Sequence, residues 1–244
     1  MIHALLTATL LAHTPASAAP PYPDGKALIQ AMYERYRGKW YRSMTFVQTT
    51  EFIKPNPRTE IWYEAMRVPG LLRIDIAPVD SGNTLLFRAD TLYQFRQASL
   101  RGSRPLVHPL MVLGFDVYAD PPATTEKKLA GLGFDLSKIH EAEWQGRPAY
   151  VVGAAQGDTT AAQFWIDRDR LVFVRLLQPS PNGISETLFN KYEPLGKGWV
   201  AVEVLFHQNG ELTLKETYAD VRGDVALPDV LFDPAMYAKP GWVK

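Results

Sequence analysis

The patterned part of the chain opens at helical spacing and then changes period. Leu28, Ile29, Met32, Tyr33 and Tyr36 recur at helical intervals, with Lys26, Gln30, Glu34 and Arg37 between them. That spacing predicts an amphipathic helix capped by Asp24 and stopped at Gly38. From Ser43 the period becomes two. Residues 44–52 and 59–65 read as a hairpin around Pro55-Asn56-Pro57. In the next strand, 71–76, Leu72, Ile74 and Ile76 fall on one face, and Arg73 and Asp75 on the other. Strands at 84–88 and 92–96 follow, and the second places Tyr93 and Phe95 on one face.

Residues 98–138 break the alternation. Two short helices are predicted there, at 108–113 and 124–132, the second capped by Thr124 with Glu126, Lys127 and Lys128 facing outward. An interruption of this length between strands is commonly functional, often a lid. Strands resume at 141–144, 149–152, 163–166, 171–177, 186–192, 199–206 and 211–221. Phe164 and Ile166 share a face, and Val200, Val202, Val204 and Phe206 form one apolar row. No linker composition, repeat or low-complexity segment divides the chain. The reading is one mainly β (α+β) domain over 19–244, built on antiparallel strands.

Charge narrows the function classes. Lys plus Arg and Asp plus Glu number 26 each. This balance argues against a nucleic-acid partner and against tight attachment to anionic membranes. At the N-terminus, 4–12 is a short apolar run and Ala16-Ser17-Ala18 an A-x-A cleavage site, although no Lys or Arg precedes the run. The segment 1–18 is therefore expected to be a cleaved secretory signal. The chain has no cysteine, hence no disulfide and no thiol for a lipid anchor. No later segment approaches 18 uninterrupted apolar residues, so no transmembrane helix is expected.

Catalytic chemistry is not visible. His108, His140 and His207 stand in no metal-ligand spacing, and neither a nucleophile elbow nor a phosphate loop occurs. Asp167 and Asp169 fall in a turn between apolar strands and read as a solvated hairpin tip. No enzyme activity, metal or cofactor is expected. The apolar rows face either a packed core or a cavity, and periodicity leaves both open.

Several short motifs occur in an order that resembles the LolA/LolB-like periplasmic lipoprotein-carrier superfamily. They are Phe46-Val47-Gln48, Ile61-Trp62-Tyr63, the run Arg67 to Ile74 around Pro69-Gly70, Asp90-Thr91-Leu92-Tyr93-Gln94-Phe95, Pro109-Leu110-Met111 and Phe232-Asp233-Pro234. The resemblance implies a single strongly curved, unclosed antiparallel sheet, a half-barrel whose concave face is covered by helices and holds acyl chains. With it, Phe46, Trp62, Leu72, Ile74, Ile76, Tyr93, Phe95, Phe164 and Ile166 become candidate cavity residues; Tyr93, Phe95, Phe164 and Ile166 enter by alternation alone. Leu110, Met111 and Leu113 become candidate lid residues, and Arg67 a candidate lid latch. In the family the latching Arg directly precedes Pro, whereas here Val68 intervenes. A one-residue shift reverses a strand side chain, so the latch requires a bulge or the proline to restore its direction. The implied function is a periplasmic carrier or chaperone. It would bind acyl chains of lipid or lipoprotein for outer-membrane biogenesis, with protein partners in the inner and outer membranes. The alternatives are an RseB-like lipid sensor, whose relatives carry a second domain for which few residues follow Phe232, and an enzyme acting on lipid or glycan.

Overall fold

The structure is a computed structural model and describes residues 21–243. The expected signal segment lies outside them. Asp24 caps the first helix as its position predicts: its Oδ1 accepts the Ala27 N–H at 2.8 Å, and α1 (Gly25–Tyr36) follows.

Six strands come next: β1 (Ser43–Phe52), β2 (Arg58–Arg67), β3 (Leu71–Ile76), β4 (Thr84–Arg88), β5 (Thr91–Arg96) and β6 (Ser99–Pro105). Helices α2 (Pro109–Gly114) and α3 (Pro122–Gly131) lead into β7 (Ile139–Trp144), β8 (Arg147–Val152), β9 (Gln163–Asp167) and β10 (Val172–Ser180). The series ends with β11 (Gly183–Leu195), β12 (Gly198–Gln208) and β13 (Glu211–Gly223). Strand β6 falls where the sequence suggests only an interruption. All seven of its residues are exposed, so neither face needs apolar side chains and no alternation marks it. Helix α3 also differs from expectation. It starts at Pro122 without a side-chain cap, and Thr124 lies inside its first turn. A proline in the first turn forfeits no helical hydrogen bond and pre-sets φ.

The 13 strands form one sheet in the order β6-β5-β4-β3-β2-β1-β13-β12-β11-β10-β9-β8-β7. Two antiparallel meanders, β1–β6 and β7–β13, are thus joined by the β1–β13 pair. The sheet does not close into a barrel, because β6 and β7 stand unpaired at opposite edges. They are also consecutive in the chain. The connection between them must therefore travel from one edge to the other, and it runs over the concave face carrying α2 and α3.

The concave face is filled unevenly. Over β7–β10 it is packed solid. Leu28, Ile29 and Met32 of α1 are wholly buried there, in one cluster with Leu129, Phe134, Val152, Phe164 and Ile166. Helix and sheet touch so closely that a Cβ on Gly25 would come within 2.5 Å of Val152 Cγ1. Trp40 stacks on Tyr118 at 3.8 Å between centroids, and the Tyr118 hydroxyl accepts the Phe173 N–H at 3.1 Å.

On the convex face, the C-terminal residues 227–242 lie across β2–β5. Leu231 and Phe232 pack on Ala65, Leu86 and Phe95 in a second apolar cluster. Beneath this strap lie Arg73 and Asp75, 3% and 1% exposed, which period-two alternation would send to solvent. They pair through two hydrogen bonds of 2.8 and 2.9 Å, and Arg73 also donates to the Leu231 carbonyl at 3.1 Å.

Candidate functional site

Under α2 the concave face is hollow. A cavity of about 290 Å³ lies between α2 and the central strands, near the lower end of the ~300–1,000 Å³ typical of ligand sites. Its walls are supplied by strand alternation. From β1 come Phe46 and Gln48; from β2, Trp62, Glu64 and Met66; from β3, Leu72 and Ile74; from β4, Leu85 and Phe87. Register holds these together: Glu64 stands opposite Phe46 on one side and Ile74 on the other, and Ile74 opposite Leu85. Phe189 of β11, Phe206 of β12 and Leu214, Glu216 and Tyr218 of β13 complete the sheet side. Leu110 and Met111 of α2, with His108 and Phe115 flanking the helix, form the roof. No Lys or Arg is among the lining residues.

Four candidates from the sequence, Phe46, Trp62, Leu72 and Ile74, lie in this wall, and Leu110 and Met111 lie in the roof. The others are elsewhere. Ile76 shares the face but sits past the cavity, beside Trp62. Phe164 and Ile166 belong to the solid half; the Phe164 ring meets Phe134 edge-on at 5.5 Å. Leu113 is wholly buried in the same packing. Tyr93 and Phe95 face the convex side, because β5 sets them opposite Leu86 and Thr84; Phe95 packs under the strap. Alternation identifies which residues share a face, but it does not say which face is concave.

Arg67, the candidate lid latch, faces away from the cavity. Met66 faces the cavity, so Arg67 points the opposite way, as its extra residue before proline requires. There it donates to Asp229 at 2.6 Å and to the Leu227 carbonyl, with its guanidinium 5.2 Å from the Phe232 ring. It fastens the strap. The roof is fastened by other residues. Asp116, 3% exposed, accepts the N–H of Gly70 at 2.9 Å, tying the segment after α2 to the β2–β3 turn. Gly70 adopts φ +78°, a conformation that glycine allows readily. Lys128 of α3, expected to face outward, instead reaches Asp90 in the β4–β5 turn at 3.0 Å and Asp120 at 3.6 Å.

Burial pushes the Asp116 carboxyl up to about 7, against the smaller opposing effect of the Gly70 hydrogen bond. The folded chain then keeps this proton at pH values where the unfolded chain has lost it. Asp116 therefore favours folding most at low pH, and its contribution falls as pH rises from the ordinary carboxylate range towards about 7. Asp116→Asn removes the titration and leaves an oxygen for Gly70. It is expected to gain on the wild type as pH rises from about 4 to about 7, reaching about 1–3 kcal/mol in denaturant melts. Melts that stay parallel across that range would contradict the assignment.

The sequence reading set His108 aside as no metal ligand and passed over Glu64 and Glu216; all three line the cavity. A signal for the two acids exists: Trp62, Glu64, Met66 and Leu214, Glu216, Tyr218 each place a carboxylate on the apolar face of a strand. Burial raises Glu64 well above the usual carboxylate range, and the charge of Glu216 adds to the effect. Glu216 is pushed up to about 7 by burial, opposed by hydrogen bonds from Tyr218 and Gln48. Burial pushes His108 down to about 4, so it is neutral at physiological pH. Among the described residues no group of three or more His, Cys, Asp or Glu is placed to hold a metal. The Asp167–Asp169 tip is structural: Asp167 is buried, and it accepts Arg147 Nε at 2.7 Å and two N–H groups of its own turn.

An open, curved antiparallel sheet with its concave face crossed by tethered helices defines a LolA-like fold. Solved structures with this architecture align over most of the chain. An outer membrane lipoprotein-sorting protein domain from Vibrio parahaemolyticus aligns with a TM-score of 0.60 at 14% identity, over 86% of this chain and 97% of the other. A DUF1329 family protein from Desulfovibrio piger gives 0.57 at 14% identity, over 86% and 95%. A LolA superfamily protein from Nitrosomonas europaea gives 0.52 at 12% identity, over 84% and 97%. No family profile matches the sequence, and no curated protein matches it.

Proposed function

We propose that the protein is a periplasmic carrier that shelters the acyl chains of a lipid or lipoprotein in the cavity under α2. The observation that carries this reading is the hollow itself. The same concave face is packed solid over β7–β10 and left open over the central strands, with mainly apolar walls and a roof held by a few polar ties. Each acyl methylene removed from water is worth about 0.8 kcal/mol, so covering even part of a chain secures a cargo. Release then requires the roof to lift, which breaks the Asp116–Gly70 and Lys128–Asp90 contacts. On this reading 1–18 is a cleaved signal and the mature chain, 19–244, is one periplasmic lipid-binding domain; the Vibrio neighbour's description supports lipoprotein sorting as the process. Donor and acceptor proteins in the two membranes follow from that role.

The test is transfer of a labelled phospholipid between donor and acceptor vesicles, with and without the protein. The proposal expects the protein to accelerate transfer. Binding without transfer would favour a lipid sensor, and neither binding nor transfer would refute an acyl-chain site.

A further inference from the structure

We propose that the cavity selects amphiphiles whose polar end is a protonated amine, held at Glu64. This deepens the acyl-chain reading and rests on it. Glu64 sits in the middle of β2 and is 4% exposed, and burial and the charge of Glu216, with no hydrogen bond, set the state of its carboxyl. Its face of the strand is the cavity face, between Trp62 and Met66. An apolar residue there would continue the wall. A buried acid with no donor is costly to fold unless it stays protonated or a ligand supplies the missing charge.

The surroundings indicate which ligand. Glu216 of β13 brings a second carboxyl to the same space, and the Tyr218 hydroxyl lies 3.3 Å from it. Gln48 of β1 is neutral and bonds to Thr50 at 2.8 Å. His108 in the roof is buried, with its Nδ1 unpartnered among the described residues, and it is neutral. The lining from β3, β4, α2, β11 and β12 is wholly apolar. The cavity therefore offers two acids and no cation. A carboxylate or phosphate placed here would meet no compensating charge, and repulsion wherever either acid is ionised. An ammonium group would donate a charge-assisted hydrogen bond to the Glu64 carboxylate and be attracted by Glu216. It would also enter a wall that carries the rings of Phe46, Trp62 and Tyr218, surfaces that favour cations.

The ammonium keeps its three hydrogens, the Glu64 carboxyl loses one to solvent, and the ion pair forms. Affinity for an amine should therefore rise with pH through neutrality, whereas affinity for a neutral chain should not.

The experiment displaces a neutral fluorescent acyl probe with dodecylamine, 1-dodecanol or dodecanoate. It uses the wild-type chain, Glu64→Gln and Glu216→Gln, at about pH 5.5 and about pH 7.5. The proposal expects the amine to bind about tenfold or more tighter than the alcohol at the higher pH. That advantage should shrink at the lower pH and disappear in Glu64→Gln, where amine and alcohol should bind alike. Dodecanoate should bind worst. Equal binding of all three in the wild type would overturn the amine inference and leave the acyl-chain reading standing. An amine preference that survives Glu64→Gln would overturn the assignment to Glu64. Displacement by none of them, with no probe binding, would overturn both readings. The comparison of head groups in the wild type needs no variant to fold.

Discussion

Arg73→Met is expected to destabilise the fold by about 3–5 kcal/mol, the cost of stranding a buried charge. Asp75 is 1% exposed and would keep only the Thr84 hydroxyl, at 2.6 Å, of the side-chain donors that now surround it. The Leu231 carbonyl would lose its guanidinium donor, so the strap would lose an anchor on the sheet. The double variant Arg73→Met/Asp75→Leu should recover much of the loss, because a buried ion pair replaced whole by apolar groups is often near neutral. Urea melts of the three chains decide the matter. Equal stability of the single variant and the wild type would mean that the strap does not seal this pair from water.

The second large effect separates the two halves of the concave face. Ile74→Trp and Ile166→Trp make the same change on the same face of one sheet. Ile166 is wholly buried in the solid half, so an indole there must displace neighbours at about 1–3 kcal/mol or more. Ile74 borders the cavity of about 290 Å³, where an indole has somewhere to go. Ile74→Trp should cost less than about 1 kcal/mol and weaken acyl-probe binding by about tenfold or more, since it occupies the ligand's space. Ile166→Trp should show the reverse, a fall in stability with affinity kept in the folded fraction. Matching stability losses would mean that both halves are filled.

These contrasts also show what was legible in the sequence. The strands and α1 follow from period and caps, because one buried face per element leaves a plain mark. The cavity wall was partly legible: the rows at Leu72 and Ile74, and at Leu110 and Met111, share the hollow. What failed was local pattern read as global position. Tyr93 and Phe95 have the alternation of a core face, but the strap gives β5 a second apolar side, and they lie on it. Arg73 and Asp75 look solvated because charge usually means solvent, yet their mutual pairing lets both be covered. Strand β6, exposed throughout, carries no alternation to read. The register, not a motif, puts Glu64 and Glu216 on the inner wall.

The roof shows the same limit. Its ties, Asp116 to the Gly70 N–H and Lys128 to Asp90, join residues 46 and 38 positions apart. No local motif announces such contacts, because they exist only once the crossover spans the sheet from β6 to β7. The motif suggested Arg67 for this work. Strand parity turned that side chain to the convex face, where it holds the strap instead.

The central claim is that the space under α2 holds an amphiphile. Native mass spectrometry of the protein released gently from periplasm, followed by organic extraction, tests it most directly. The account predicts a mass above that of the bare chain, with an extractable amphiphile that Ile74→Trp fails to retain. A bare mass that added lipids and long-chain amines leave unchanged would contradict it.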